Sequence, residues 1–264
     1  MKLEIDKVQE NLKTKKFGKK ILFLHETGST NDLAKEFADY GASEGTIVIT
    51  ETQTAGRGRV GRKWFSPKDG LYFSLILRPK LEAKEAIKLV FVASLAVAEV
   101  LHENYGLRVE TKWPNDVLVS GRKVCGILCE MKTKGENVNY VVIGVGVNAN
   151  VNVKEEFPED LKTVATSLKD ELRRKVRLEE LLRLLLEKLE NVYEQFMKEG
   201  FPQILNAWKK YASFVGKNVE VIDEAKKWCG LALDVDKDGA LVIRLGDGTV
   251  KRFIVGDVSL KIKK

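Results

Sequence analysis

The sequence predicts an α+β protein with a central mixed β-sheet and flanking helices, followed by a small C-terminal β-barrel. The first observation is that short β-branched runs are interspersed with long amphipathic segments up to residue 213. The second is that only short strands follow, separated by Asp238-Gly239 and Asp247-Gly248, pairs that favour hairpin turns. We therefore predict a large domain at residues 1–213 and a barrel domain at residues 214–264.

The individual elements follow from periodicity and turn signals. Ser29 or Thr30 is suited to cap a first helix. Ser120-Gly121 predicts a hairpin turn between two strands, and the almost wholly apolar strand at residues 140–147 is expected at the centre of the sheet. Strands of the large domain are predicted at residues 21–24, 46–51, 71–77, 117–119, 123–131 and 140–147, and helices at residues 85–101 and 178–192. Strands of the barrel are predicted at residues 219–222, 231–235, 241–245 and 250–255.

A loop at residues 56–62, Gly-Arg-Gly-Arg-Val-Gly-Arg, combines three glycines with three arginines. Glycine lets the backbone approach a ligand closely, and arginine binds phosphate or carboxylate. The spacing Gly-x-Gly-x-x-Gly also occurs in dinucleotide-binding folds, but Pro67 follows and nothing supports the helix such folds require. We expect an anion-binding loop that is mobile when empty and ordered by its ligand; a solvated basic loop is the alternative.

Three further clusters carry polar chemistry. Residues 112–116, Lys-Trp-Pro-Asn-Asp, place a cation, an aromatic ring, an amide and a carboxylate between two strands, where active sites are often assembled. Lys123 opens a strand three residues before Gly126, at which a ligand could pass close to the backbone. Residues 144–150 end a buried strand with glycines and two asparagines. A simple turn, a solvated lysine and ordinary loop polarity are the respective alternatives.

Composition favours a cytosolic globular protein. The chain has 264 residues, of which 44% are hydrophobic and 31% charged, with no apolar run of the roughly 18 residues that a membrane span needs and no secretory signal. Cys125, Cys129 and Cys229 lack metal-site spacing and indicate reduced thiols without assigned chemistry. With only His25 and His102 available, any chemistry must rest on Lys, Arg and Asp.

The net charge of +7 raises the question of a nucleic-acid partner. About 20 residues precede the first predicted strand, whereas a helix-turn-helix module needs roughly three times that length. We therefore expect neither an N-terminal DNA-binding domain nor a DNA or membrane partner.

Five motifs together resemble those of biotin protein ligases in order and spacing. They lie at residues 28–31, 53–64, 112–116, 123–128 and 146–148, and the resemblance runs from about residue 21 to the end, including residues 256–260. Lipoate ligases share the fold but carry a different signature, which is absent here. The resemblance implies the short form of the family without its repressor domain, a catalytic fold like that of class II synthetases and an SH3-like C-terminal barrel.

The resemblance also implies the reaction. Biotin and ATP would form biotinyl-5′-AMP with release of pyrophosphate, and biotin would then pass to one lysine of a biotin carboxyl carrier protein. Fixed cations and Mg²⁺ would offset the repulsion between a carboxylate and a triphosphate. Lys123 and Arg59 would be the principal catalytic cations, and Asp116 would act as a base toward the acceptor amine or as a magnesium ligand.

The binding residues implied by the resemblance form two sets. Biotin would contact Ser29, Thr30, Asn31, Gln53, Arg57, Gly58, Arg59, Lys123, Gly126 and Leu128. ATP would contact Arg57, Arg59, Arg62, Trp64, Lys112, Asn115 and Asn148, with Trp64 against the adenine unless it is a plain core residue. Metal ligands and the carrier's identity stay open, and a homodimer is expected by analogy only. Lipoate or octanoate ligation and a DNA-binding, biotin-responsive regulator are the alternatives.

Overall fold

The computed structural model describes residues 3–223, 226–254 and 256–260. The helices are α1 Ile5–Glu10, α2 Thr30–Asp39, α3 Ala83–Ala86, α4 Leu89–Glu103, α5 Val153–Glu156, α6 Glu159–Lys162, α7 Leu168–Leu172, α8 Leu178–Glu199 and α9 Phe201–Lys209. The strands are β1 Ile21–Thr27, β2 Ile47–Gln53, β3 Leu71–Leu77, β4 Val109–Lys112, β5 Asp116–Val119, β6 Arg122–Lys134, β7 Asn137–Val147, β8 Asn218–Asp223, β9 Lys226–Val235, β10 Leu241–Leu245, β11 Val250–Phe253 and β12 Asp257–Leu260.

Seven strands form one sheet in the order β1-β2-β3-β7-β6-β5-β4. Strands β1 and β2 pair in parallel and the other neighbours are antiparallel, so the predicted mixed sheet is confirmed. Strand β7 is fourth of the seven, as its continuous apolar sequence predicted. The turn between β5 and β6 has positive φ at Ser120 (53°) and Gly121 (73°), which suits a two-residue hairpin.

Helices pack mainly on one face of this sheet, where α4 lies against α8 and α9. Helix α4 is apolar on nearly every side because it is enclosed by the sheet and by these helices. The single helix predicted over residues 85–101 is wrong in one respect: the segment divides into α3 and α4. No helix within the described part of the chain is long and apolar enough to cross a membrane.

The remaining strands form a five-stranded antiparallel sheet in the order β11-β10-β9-β8-β12, the small C-terminal β domain that the sequence predicted. Its predicted hairpin turns contain Gly239 (φ 82°) and Gly248 (φ 87°). The predicted strand at residues 250–255 includes Val255, which lies outside the described residues. The predicted domain ends at residue 264, and residues 261–264 also lie outside them. The boundary at residue 214 stays a prediction.

The two sheets meet at the 112–116 motif. Trp113 precedes the cis peptide bond to Pro114 and is 1% exposed. Its indole Nε1 donates a hydrogen bond to the carbonyl oxygen of Gly239 in the C-terminal domain at 2.9 Å. Arg59 Nη1 donates to the carbonyl oxygen of Gly256 at 3.1 Å. The small domain therefore contacts both the motif and the arginine-glycine loop.

Candidate active site

Every site residue predicted from the sequence lines the wall of one cavity of about 750 Å³. Its lining comes from the arginine-glycine loop, the start of α2, strands β4 to β7, and Phe214 and Val258 of the C-terminal part. The predicted biotin set and the predicted ATP set thus share one continuous space. Their individual roles remain proposals.

The floor of the cavity is made of glycines on the two central strands. Gly126 of β6 pairs with Gly146 of β7. A Cβ added to Gly146 would lie 2.5 Å from the indole Nε1 of Trp64, and one added to Gly126 would lie 2.9 Å from the same ring. A Cβ on Gly144 would collide with Asn31 Oδ1. The absence of side chains lets Trp64 and Asn31 lie directly on the sheet.

The arginine-glycine loop is folded as a tight hairpin. Gly58 N donates to Arg62 O at 2.7 Å, and Trp64 N donates to Gly56 O at 2.9 Å. The turn uses left-handed backbone at Val60 (φ 53°) and Gly61 (φ 71°). This geometry holds Arg59 and Trp64 toward the cavity. The mobility expected of the empty loop stays a prediction.

One end of the cavity carries neutral polar groups at the start of α2. Ser29 caps this helix, its Oγ accepting from the backbone N–H of Asp32 at 3.4 Å. Thr30 donates to Gln53 Oε1 from its backbone N at 2.9 Å and from its hydroxyl at 3.2 Å. Gln53 Nε2 in turn donates to Ser66 Oγ at 2.9 Å. The cap and the glutamine therefore fix the polar groups before any ligand arrives.

Beside this end lies a group of charged residues, here named the Glu130 cluster: Asp32, Lys35, Arg57 and Glu130. Arg57 Nη2 donates to Asp32 Oδ1 at 2.7 Å and to Glu130 Oε2 at 2.6 Å. Lys35 Nζ donates to Glu130 Oε1 at 3.1 Å and lies 2.9 Å from Asp32 Oδ1. Burial opposes ionisation of Glu130, but its hydrogen bonds from Asn31, Arg57 and Lys35 hold the pKa of its carboxyl below the usual value.

Sequence reasoning missed Asp32, Lys35 and Glu130. Glu130 follows Gly126 and Leu128 at alternate positions of β6, so the side chains of Leu128 and Glu130 lie on the same face of the strand as the position of Gly126. The sequence could have indicated Glu130 because it continues the strand face on which Gly126 and Leu128 were predicted to bind biotin. The partners in α2 were not visible from spacing alone.

The opposite end of the cavity is cationic. Lys123 Nζ lies 2.7 Å from Asp116 Oδ1 and 5.1 Å from the centre of the Trp64 ring. Arg59 Nη1 donates to Asn115 Oδ1 at 3.3 Å, and Asn115 Nδ2 donates to Ile127 O at 2.8 Å. Asp116 is buried, its side chain 10% exposed, whereas the Lys123 side chain is 31% exposed. Lys123 can therefore reach a ligand while its partner remains inside the wall.

Five buried side-chain N or O atoms lack a hydrogen-bond partner among the described residues, and four belong to cavity-lining residues. These four are Arg57 Nε, Trp64 Nε1, Thr111 Oγ1 and Asn148 Oδ1. Asn148 Nδ2 does have a partner, the carbonyl oxygen of Thr166 at 3.0 Å. Leaving a buried polar atom unpaired costs about 1–3 kcal/mol. Their concentration here is typical of a site built for a ligand.

An apolar wall that sequence reasoning also missed closes one side of the cavity. Phe65 and Phe157 meet edge to face with ring centres 5.0 Å apart, and Leu161 and Ala165 join them in a small apolar cluster. Phe65 directly follows Trp64 in sequence, which was the only local signal. This wall gives the cavity a surface suited to a flat apolar ring.

Two remaining kinds of group are metal-binding clusters and cysteine thiols. Within the described residues no group of three or more His, Cys, Asp or Glu side chains could hold a metal ion. Desolvation raises the pKa of the Cys125 and Cys129 thiols, that of Cys129 to about 12. Both thiols are therefore protonated at neutral pH and unsuited to act as nucleophiles.

Comparison with known families defines the class of this fold and site. The model of the Biotin/lipoate A/B protein ligase family matches residues 24–148, and that of the Biotin protein ligase C terminal domain matches residues 214–261. The fold and the cavity therefore define a member of the biotin/lipoate ligase class.

Individual relatives narrow this class. The bifunctional ligase/repressor BirA of Bacillus subtilis is 35% identical over 98% of this chain and 79% of that protein. The biotin–(acetyl-CoA-carboxylase) ligase of Paracoccus denitrificans is 36% identical over 84% of this chain and 92% of that protein. The solved biotin protein ligase of Aquifex aeolicus in complex with biotin and ATP is similar with a TM-score of 0.80 and 30% identity, over 93% of this chain and 100% of that chain. The chain belongs to the biotin protein ligase family, and its activity is that of a ligase.

Proposed function

We propose that the protein activates biotin with ATP to biotinyl-5′-AMP and transfers the biotinyl group to one lysine of a biotin carboxyl carrier protein. The observation that carries the proposal is a single cavity with a neutral polar end, a glycine floor and a cationic end. Biotin has a matching polarity, with a neutral urea ring at one end and a carboxylate at the other. The relative from Aquifex aeolicus was solved with biotin and ATP.

In the proposed complex the urea ring lies near Ser29, Thr30 and Gln53, whose positions are already fixed by hydrogen bonds. The valeryl chain crosses the floor past Gly126 and Leu128. The carboxylate then lies toward Lys123 and Arg59. This orientation buries the apolar part of biotin and leaves its charge beside cations.

In the first step a carboxylate oxygen of biotin attacks the α-phosphorus of ATP, and the bond from that phosphorus to the pyrophosphate oxygen breaks. Lys123, held beside Asp116, would bind both the carboxylate and the α-phosphate, while Arg59 holds the growing negative charge. Electrostatic stabilisation of this kind is often the largest catalytic contribution. Fixing the two reactants in line adds effective concentration.

ATP would occupy the remaining length of the cavity. Its adenine would lie against Trp64 near Asn148, whose side-chain oxygen Oδ1 lacks a partner among the described residues. Arg62 and Lys112, both on the cavity wall, would face the β- and γ-phosphates. Asn115 acts indirectly because its amide links Arg59 to the backbone of β6.

Mg²⁺ enters the proposal as part of the nucleotide substrate. The cavity carboxylates are engaged: Asp116 pairs with Lys123, and Glu110 accepts a hydrogen bond from Ser213. These residues do not form a protein metal site, so they fit a metal ion held chiefly by the triphosphate.

In the second step the neutral amine of the carrier lysine attacks the carbonyl carbon of biotinyl-5′-AMP, and the bond to the phosphate oxygen of AMP breaks. The attacking amine loses a proton, for which the Asp116 carboxylate is the proposed acceptor. A free lysine has a pKa of about 10.4, so a small fraction is neutral at pH 7. Asp116 would raise the fraction that reacts by orienting and deprotonating the amine.

We further propose that the enzyme acts in the cytoplasm, as its cysteine usage favours, that it assembles as a homodimer and that it does not bind DNA. Filter binding of a labelled DNA probe at low salt tests the proposed lack of DNA binding, and retention of the probe by the protein would contradict it. A gel-filtration mass of one chain would contradict the dimer.

The decisive test is biotin-dependent exchange of labelled pyrophosphate into ATP, followed by transfer of labelled biotin to a carrier domain. We expect exchange with biotin and none above background with lipoate or octanoate. The matched control is a carrier whose acceptor lysine is replaced by arginine. Exchange supported by lipoate and not by biotin would overturn the proposal.

A further inference from the structure

Glu130 stands at the junction of three segments that meet at the biotin end of the cavity. Its Oε2 accepts from Asn31 of α2 at 2.9 Å and from Arg57 of the loop at 2.6 Å, and Glu130 itself belongs to β6. The Glu130 side chain is only 23% exposed. A single carboxylate therefore links the helix, the loop and the strand.

Both the nitrogen and the oxygen of the Asn31 amide are hydrogen-bonded to the protein. Its Nδ2 donates to Glu130 and also to Leu128 O at 3.2 Å, and its Oδ1 accepts from Ser74 at 2.6 Å. The residue is 4% exposed and lies directly on Gly144. The amide thus forms the wall at the biotin end, and its orientation depends on the carboxylate that receives its hydrogen bond.

The Arg57 guanidinium is held by two carboxylates through its Nη2. The Glu130 cluster contains two carboxylates and two cations, so its formal charges cancel. Arg57 forms ion pairs with Asp32 and Glu130, so the protein itself compensates the charge of its guanidinium. A compensated guanidinium is a poor partner for a triphosphate but a firm anchor for the base of its loop.

We propose that Glu130 is a positioning residue for biotin: it fixes Asn31 and Arg57, and thereby the shape of the biotin end and the base of the arginine-glycine loop. Because Arg57 pairs with Glu130 and Asp32, we place its side chain at the biotin end of the cavity rather than beside the phosphates. The identity of the ligand rests on the proposed function. An interaction that shapes the pocket equally before and during the reaction changes KM rather than kcat.

The test compares Glu130→Gln with the wild type in biotin-dependent pyrophosphate exchange. We expect KM for biotin to rise about tenfold, the scale of one charge-assisted hydrogen bond, while KM for ATP and kcat stay within about twofold. Asp39→Asn is the matched control, since Asp39 and Lys132 also join α2 to β6 by an ion pair of 2.8 Å but lie on the surface outside the cavity. That variant should keep both KM values.

A second readout follows the loop without any ligand. Trypsin should cleave after Arg59 or Arg62 faster in Glu130→Gln than in the wild type or Asp39→Asn, provided that thermal unfolding shows all three folded. Arg57→Met supplies an independent variant should Glu130→Gln not fold, with the same expected rise in KM for biotin alone.

The outcomes separate the two proposals. Suppose that the wild type exchanges pyrophosphate but Glu130→Gln keeps the wild-type KM for biotin. That result would overturn the positioning role and leave the proposed function intact. A rise in KM for ATP alone in Arg57→Met would do the same. Failure of the wild type to exchange would reject the proposed function, and equal trypsin cleavage of all folded variants would then reject the role of Glu130 as well.

Discussion

At the scale of single residues, the cationic end depends on the contact between Lys123 and Asp116. A buried carboxylate beside a half-exposed ammonium keeps the lysine extended over Trp64. The same contact makes each residue sensitive to loss of the other, because the survivor would lack its countercharge.

Lys123→Ala should lower the rate of biotinyl-5′-AMP formation by about 100-fold or more, the usual scale for losing an electrostatic catalytic group. Single-turnover release of pyrophosphate measures the rate. Arg122→Ala is the matched control, since Arg122 precedes Lys123 but pairs with Glu171 at 2.7 Å and does not line the cavity. Equal rates in both variants would make Lys123 an ordinary surface cation.

Asp116→Ala should slow transfer from purified biotinyl-5′-AMP to the carrier and recover rate as the pH rises toward the pKa of the acceptor amine. The recovery is expected because hydroxide then supplies the deprotonation that the carboxylate provides in the wild type. Single turnovers between pH 7 and about pH 10 measure it. A loss that is constant across this range would indicate that Asp116 only holds Lys123.

At the scale of elements, strands β6 and β7 form the floor because glycines stand opposite one another at Gly126 and Gly146. The loop above them is a hairpin that places Trp64 on this floor. The floor and the loop therefore pack against each other, so a larger residue in the floor should displace side chains of the loop.

Gly146→Ala should displace the Trp64 ring, because the new methyl group would lie 2.5 Å from its Nε1. Overpacking of this kind costs about 1–3 kcal/mol, and KM for ATP should rise about tenfold. Gly246→Ala is the control, since a Cβ there would meet no atom within 4 Å. An unaltered KM for ATP in Gly146→Ala would separate Trp64 from nucleotide binding.

Arg59→Ala should let biotinyl-5′-AMP escape into solution, because the loop loses its main contact with the anionic intermediate. The dissociation rate of labelled biotinyl-5′-AMP, measured by rapid filtration, should increase by about tenfold or more, as expected when one charge-assisted contact is lost. The adenylation step should slow as well. A dissociation rate equal to that of the wild type would contradict the proposed closing role of this arginine.

The sequence predicted the elements that depend on local pattern and missed those that depend on distant partners. The cap of α2, the apolar strand β7 and the turn at Ser120-Gly121 are all encoded within a few residues. Glu130 and Asn31 are 99 residues apart, and no spacing rule joins them. The cavity residues were found because their motifs are specific, whereas Asp32, Lys35 and Glu130 belong to no motif.

At the scale of the whole molecule, the C-terminal sheet is part of the structure around the cavity. Trp113 lies between the two sheets and donates to Gly239, which is 126 residues away in sequence. Such a contact restrains the 112–116 motif from outside the cavity, whose lining does not include Trp113.

Trp113→Phe should destabilise the protein by about 1–3 kcal/mol, since the Gly239 carbonyl would lose its buried donor while the aromatic packing largely remained. Urea unfolding measures this free energy. Trp228→Phe is the control: Trp228 is half-buried in the small domain under Lys251, and its replacement by another aromatic ring should cost less than about 0.5 kcal/mol. Similar losses of unfolding free energy in both variants would show that the hydrogen bond from Trp113 to Gly239 has no special role in stability.

The contact between Arg59 and the carbonyl oxygen of Gly256 joins an early part of the chain to a late one. During synthesis on a ribosome, the arginine-glycine loop emerges long before its partner. A nascent or prematurely terminated chain would carry all the motifs of residues 28–148 and still lack a finished wall around the reactive mixed anhydride. We therefore expect a chain that stops before Gly256 to retain its acyl-adenylate less firmly than the full-length chain does.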